Sequence, residues 1–197
     1  MGQKVHPYIL RIGINKYWQS LWFSRKLSEF SRYVEEDYKI RKIIKDRFKL
    51  ACISKILIER LTEKVKVRIL TARPGMIIGR HGQDIERLRE DLNTLLKREI
   101  TIDVQEIENP ACDAQLVAEN IAFQIEKRVN YRRAVKRAIE QAVASGAKGI
   151  RVTVGGRLAG AEISRSETYK QGKIPLSTFR ADIDHGQAAS FTTYGYV

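Results

Sequence analysis

The chain has 197 residues, 43% of them hydrophobic, and Lys plus Arg exceed Asp plus Glu by 36 to 23, a formal charge of +13. This excludes a disordered chain, allows one or two domains with real cores, and suits a polyanionic partner. No apolar run approaches the ~20 residues of a membrane span.

Charges, Tyr and Trp interrupt the N-terminus where a signal peptide would carry its apolar core. The expectation is a soluble, non-secreted protein with no membrane partner. Cys52 and Cys112 lie far apart without a C-x-x-C pattern, so buried free thiols in a reducing compartment are expected. His6, His81 and His185 are scattered without metal-ligand spacing, so neither a metal nor a cofactor is expected.

Residues 1–28 read as an extended arm in which Tyr17, Trp18, Trp22 and Phe23 interleave with Lys16, Arg25 and Lys26. Aromatic faces beside cations can stack bases and meet phosphates, or tuck onto the core. From about Ser31 to Leu50, Tyr33, Val34, Tyr38, Ile40, Ile43, Ile44 and Phe48 trace a helical period. Lys39, Arg41, Lys42, Lys45, Arg47 and Lys49 on the other face are opposed only by Asp46, which points to a backbone-contacting surface.

Two strands follow, Ile53 to Glu59 and the alternating run through Val65, Val67 and Ile69, joined by a turn at Thr62-Glu63-Lys64. Then Gly75, Gly79 and Gly82 fall within eight residues, and Gly79-Arg80-His81-Gly82 forms a G-x-x-G loop. An isolated G-x-x-G is most often a strand-to-helix turn. Here the loop follows apolar Met76-Ile77-Ile78 and precedes a helix with Ile85, Leu88, Leu92, Leu95 and Leu96 on one face. Glycines let the backbone approach a nucleotide chain, and the next helix aims its positive dipole end at the same place. That is the arrangement of a KH domain, whose loop clamps backbone nucleotides. A strand with Ile100, Ile102 and Val104 closes the unit. The order, helix, strand, strand, loop-helix, strand, matches a type II KH domain with one short helix unresolved by periodicity.

Asn109-Pro110 marks the internal boundary. The expected division is an arm over 1–28, a KH domain over 29–108 and a C-terminal α+β domain over 109–197. In the last, Asp113 can cap a helix carrying Val117, Ile121 and Ile125. Asn130 can cap a second, running to Ser145 with Gly146 as its stop. The second helix buries Val135, Ala138, Ile139, Ala142 and Val143 and projects Arg132, Arg133, Lys136 and Arg137 from the opposite side, with Glu140 the first acid on that stripe. A solvated surface would mix in acids, so contact with RNA is favoured. Gly149 to Val154 reads as a strand, Gly156 to Ile163 as a glycine-punctuated basic segment, and Phe179 to Ile183 as another strand. The fold class is α+β, with two helices packed on a mainly antiparallel sheet after the KH domain.

With these stretches assembled, the chain resembles the bacterial type of the small-subunit ribosomal protein three family. Matching segments are Met1-Gly2-Gln3-Lys4-Val5-His6-Pro7, Thr71-Ala72-Arg73-Pro74-Gly75 through the G-x-x-G loop, and Arg132-Arg133-Ala134. Gly156-Arg157-Leu158-Ala159-Gly160-Ala161-Glu162-Ile163, Arg180-Ala181-Asp182-Ile183-Asp184 and Thr192-Thr193-Tyr194-Gly195 complete the set. The resemblance implies a place in the head of the small ribosomal subunit, in a bacterial cytoplasm or an organelle. It implies binding to ribosomal RNA, contact with small-subunit proteins ten and fourteen, and contact with messenger RNA at its entry channel. Carried over by position, Arg132, Arg133 and Lys136, with Arg137 beside them, match residues that grip and help unwind the messenger. Gly79, Arg80, His81 and Gly82 match the KH loop. Lys4, Arg157, Arg165, Lys173 and Arg180 are further expected RNA contacts. The family normally has two basic residues inside G-x-x-G, so His81 weakens the loop as a phosphate clamp. Its sheet usually continues past Tyr194-Gly195, which implies truncation or an edge covered by something else.

A free-standing KH regulator of single-stranded RNA would instead need an open apolar groove beside Ile77, Ile78 and Ile85. An enzyme would need a site, and the best candidate is Asp182-Ile183-Asp184-His185, whose carboxylates are expected instead to pair with Arg180 or Lys173. No P-loop or nucleophile motif is present, and no catalytic residue is expected.

Overall fold

A computed structural model describes residues 4–61 and 64–197. Met1-Gly2-Gln3 of the arm, and Thr62-Glu63 of the expected turn, lie outside the described residues. The chain divides into two compact units, Tyr17–Glu108, and Asn109–Val197 with the described part of Met1–Lys16. The stretch 1–28 is therefore not one arm, since its two halves belong to different units.

In the first unit, β1 (Ser20–Leu21), α1 (Leu27–Arg47), β2 (Ile53–Arg60), β3 (Lys64–Thr71), α2 (Gly75–Ile78), α3 (Gln83–Leu96) and β4 (Glu99–Glu106) follow in order. The sheet runs β1-β2-β3-β4, with β2 and β3 antiparallel and β4 parallel to β3. The alternating sequence sets the register: Ile58 faces Val67, and Val67 faces Ile102 across the next ladder. All these apolar residues fall on one face, where they pack against Ile40 and Ile44 of α1 and Leu88, Leu92 and Leu96 of α3. The order α-β-β-α-α-β is the type II KH arrangement. The helix that periodicity could not resolve is α2, a single turn opened by Gly75 and burying Ile77.

Helix α1 starts four residues before the expected Ser31. Its first turn is held by tertiary contacts, because Trp22 packs against Phe30 and Tyr33 while its indole N–H donates to Asp37 at 2.9 Å. Asp37 in turn pairs with the buried Arg60 guanidinium, which also meets Glu36 at 2.6 Å. Val34 and Tyr38, expected on the apolar face, are exposed, while Asp37 is buried.

In the second unit, α4 (Ala114–Glu126) and α5 (Tyr131–Ala144) precede two antiparallel ribbons, β5 (Gly149–Gly156) with β6 (Arg165–Gly172), and β7 (Phe191–Thr192) with β8 (Gly195–Tyr196). Ile121, Tyr131, Val135, Ala138 and Ile139 form its core with Val154 and Leu158. Both predicted caps are present: the Asp113 carboxylate accepts from the amides of Gln115 and Leu116, and the Asn130 amide oxygen from that of Arg132. Val143 lies outside the buried face, which Tyr131 and Ala134 complete.

Phe179 to Ile183 is not a strand. Arg11, fully buried, donates to the carbonyls of Leu176, Thr178 and Ala181 at 3.1, 2.9 and 2.7 Å. Those acceptors are thereby taken by a side chain from the N-terminal segment, and the segment curls around a guanidinium instead of joining a ladder.

Candidate nucleic-acid interface

Helix α5 is amphipathic by construction. Tyr131, Ala134, Val135, Ala138, Ile139 and Ala142 are buried, so the residues between them must face outward. Arg132, Arg133, Lys136 and Arg137 are all exposed. At 3.6 residues per turn they span an arc of about 140°. They line a groove of about 1020 Å³ whose other wall is β6, through Glu167 and Tyr169.

The first turn of α5 contains no acidic residue, and Arg132 and Arg133 sit there. Cations at a helix N-terminus oppose the macrodipole, so this placement works against helix stability and favours an anion docked from outside. Among the described residues, Arg133, Lys136 and Arg137 have no carboxylate partner.

Arg132 does have one. Its Nε donates to the Tyr131 hydroxyl at 3.0 Å and its Nη2 lies 3.4 Å from Glu167 Oε1. Tyr131 and Tyr169 both donate to that carboxylate, at 2.9 and 2.7 Å. The hydrogen bonds from Tyr169 and Tyr131, then Arg132, hold the Glu167 carboxyl below the usual range. The Arg132 guanidinium is pushed up, first by Tyr131 and then by Glu167, and the Tyr169 phenol is pushed up chiefly by Glu167.

The G-x-x-G loop is built differently. Gly79 and Gly82 have φ of 71° and 77°, and His81 between them has φ of 55°. Histidine is enriched in that left-handed region among non-glycine residues, which gives its presence a backbone rationale. Arg80 and His81 are exposed. The start of α3 carries Asp84 and Glu86, and a Cβ added to Gly79 would lie 2.1 Å from the Asp84 carboxylate. The dipole end that a phosphate would use already faces protein carboxylates. Of the apolar positions a base-reading groove would need, Ile77 is buried, Ile85 half-buried and Ile78 exposed.

The remaining predicted contacts scatter. Lys4, Lys173 and Arg180 are exposed, and Arg165 lies with Nε 3.6 Å from Glu167, beside the α5 groove. Arg157 is half-buried and donates to the carbonyls of Ala161 and Tyr194 at 2.9 and 3.2 Å, so its side chain organises its own loop. On α1, Arg41 turns inward to the carbonyls of Ile56 and Gln19, Lys39 pairs with Glu35 and Arg47 with Asp91. The basic face of α1 is thus half spent on the protein itself. Asp182 pairs with Lys16 at 2.6 Å, and not with Arg180 or Lys173; Asp184 accepts from the Ala114 amide. Among the described residues no cluster of three potential metal ligands exists, and no helix is long and apolar enough to cross a membrane.

Sequence reasoning missed β6, and with it Glu167. The strand is polar and mostly exposed, and its one signal was Glu167 and Tyr169 alternating with Thr168 and Lys170 ahead of Gly172.

Family comparisons agree with this architecture. Residues 39–111 match the KH domain model, and residues 121–197 match that of the ribosomal protein S3 C-terminal domain. A small ribosomal subunit protein uS3 from Carboxydothermus hydrogenoformans is 56% identical over the whole chain, which covers 88% of that protein. Its namesake from Oleidesulfovibrio alaskensis is 55% identical, with 92% covered. The chain belongs to the uS3 family of small ribosomal subunit proteins. A Helicobacter pylori uS3 protein is 51% identical, again over all of this chain and 84% of its own length. Within the uS3 family, then, this chain presents a KH unit followed by the S3 C-terminal domain, and a basic helix in the latter.

Proposed function

We propose that the protein is a structural constituent of the small ribosomal subunit head, where it binds ribosomal RNA and contacts messenger RNA entering the channel. The observation that carries this reading is the α5 stripe, where three exposed cations lack carboxylate partners among the described residues and two arginines oppose the helix dipole. A surface of that kind binds phosphates without reading bases, which suits a messenger of any sequence. Ribosomal RNA is recognised by shape and backbone, to which Lys4, Lys173 and Arg180 contribute as exposed cations. The exposed side chains of Tyr17, Trp18, Phe23 and Leu27 offer apolar surface to subunit neighbours, for which the resemblance suggests small-subunit proteins ten and fourteen. No catalytic step is proposed, and strand separation at the entrance is mechanical.

The test is to replace Arg132, Arg133 and Lys136 together by glutamine. The variant is expected to co-sediment with small subunits through a high-salt gradient yet to stall on messengers with stable hairpins near the entrance. Exclusion of the variant from subunits would refute this division between assembly and messenger contact.

A further inference from the structure

Two acids line the α5 groove, Glu140 on the helix itself and Glu167 across from it, and among the described residues only Glu167 is ion-paired with a cation of the stripe. Its position follows from register. Val154 pairs with Glu167 and Val152 with Tyr169 across the β5–β6 ladder. Paired residues of an antiparallel ladder share a face, so Glu167 and Tyr169 lie on the side of the sheet that packs against the helix. There the carboxylate accepts from two neutral donors, the hydroxyls of Tyr131 and Tyr169, and Arg165 Nε lies 3.6 Å from it. Arg132 then lies 3.4 Å from a fixed anion, whereas Arg133, Lys136 and Arg137 have none among the described residues.

We propose that Glu167 is a positioning residue and an electrostatic brake on the basic helix. This rests on the reading of α5 as an RNA-contacting surface. Glu167 fixes the Arg132 guanidinium beside Tyr131 and offsets its charge, so that a phosphate reaching Arg132 must share it with a carboxylate. Arg132 becomes a directional guide that contributes little to counterion release, and the electrostatic grip comes from Arg133, Lys136 and Arg137. Such a brake keeps the hold on a strand shallow, as a surface over which RNA must move requires.

The experiment measures binding of the full chain to a fluorescent oligouridylate by anisotropy across a potassium chloride series. Each cation neutralised by a single strand contributes about 0.7 to the slope of log affinity against log salt. Glu167→Gln is expected to bind about three- to tenfold tighter at about 50 mM salt, with a slope steeper by about 0.7. Adding Arg132→Gln should remove both gains, whereas adding Arg165→Gln instead should leave them, because Arg165 shares the same carboxylate. Arg132→Gln alone should leave the slope unchanged, as should Tyr169→Phe, which removes a hydrogen bond without changing charge. Unchanged or weaker binding by Glu167→Gln overturns the proposal. If that variant does not fold, a slope loss of about 0.7 in Arg132→Gln alone overturns it equally. A different failure marks the underlying reading: if Arg133, Lys136 and Arg137 are replaced together by glutamine and the slope does not fall, α5 is not an RNA surface at all.

Discussion

Helices α3 and α5 each begin beside a sequence feature that points to RNA, and they treat their N-terminal turns in opposite ways. The first turn of α3 carries Asp84 and Glu86, which complement the dipole, and Asp84 closes over Gly79. The first turn of α5 carries Arg132 and Arg133 with no acid at all. One helix start follows the electrostatics of stability and the other departs from them. The difference teaches that a loop motif marks a fold, whereas a charge placed against local stability marks a surface with other work to do.

The largest expected effect is that of Arg11→Ala, which strands several carbonyls between residues 175 and 181 and should cost about 3–5 kcal/mol. Denaturant unfolding would show the loss in the second unit, with amide exchange in the KH core unchanged; uniform loss would mean that the two units do not unfold independently. Next, glutamine at Arg133, Lys136 and Arg137 should weaken oligouridylate binding about a hundredfold near 0.1 M salt, while Arg80→Gln should cost less than about fivefold. The reverse ranking, read by anisotropy, would return the site to the G-x-x-G loop.

Smaller effects sharpen the contrast within each helix. Gly79→Ala combines a positive φ with a clash against Asp84 and should destabilise the KH unit by about 1–3 kcal/mol. Adding Asp84→Ala should recover part of that loss in thermal unfolding. Asn130→Ala removes the α5 cap and should cost about 1 kcal/mol.

The smallest effect concerns pH. His6 and His185 meet at 3.1 Å, and burial, then the neighbouring His6 ring, push the His185 imidazole below its usual 6.5. The folded state therefore binds fewer protons than the unfolded chain below about pH 6.5, so this contribution is present at neutral pH and is lost as pH falls. Urea midpoints should drop slightly between neutral and mildly acidic pH, and His185→Gln should flatten that drop.

How much of this was legible in the sequence depends on which force set each element. Strands β3 and β4 alternate cleanly because one sheet face is buried, and their period identified them, while β2 was legible from its β-branched residues. Both caps of the C-terminal helices were readable because capping is local chemistry. The start of α1 was not, since it depends on Trp22 packing across from Phe30 and Tyr33. Strand β6 escaped because an exposed ribbon of polar residues has almost no hydrophobic period. Phe179 to Ile183 has the composition of a strand, yet Arg11, some 170 residues away, claims the carbonyl of Ala181 within it and that of Thr178 just before it.

The stripe on α5 was fully present in the sequence, because residue type and helical period decide which side chains share a face. So were the KH order and the division near Asn109. What the linear chain could not express is partnership between distant charges. It presents Arg132 and Arg133 as equivalent neighbours, and only the β5–β6 register brings Glu167 and Tyr169 to one of them. It likewise presents Arg41 as a surface cation, whereas the fold turns it inward, as it does Arg11, to carbonyls that no local pattern pairs with them. Periodicity reports which way a side chain faces; the charge it keeps is set by what the tertiary structure places opposite.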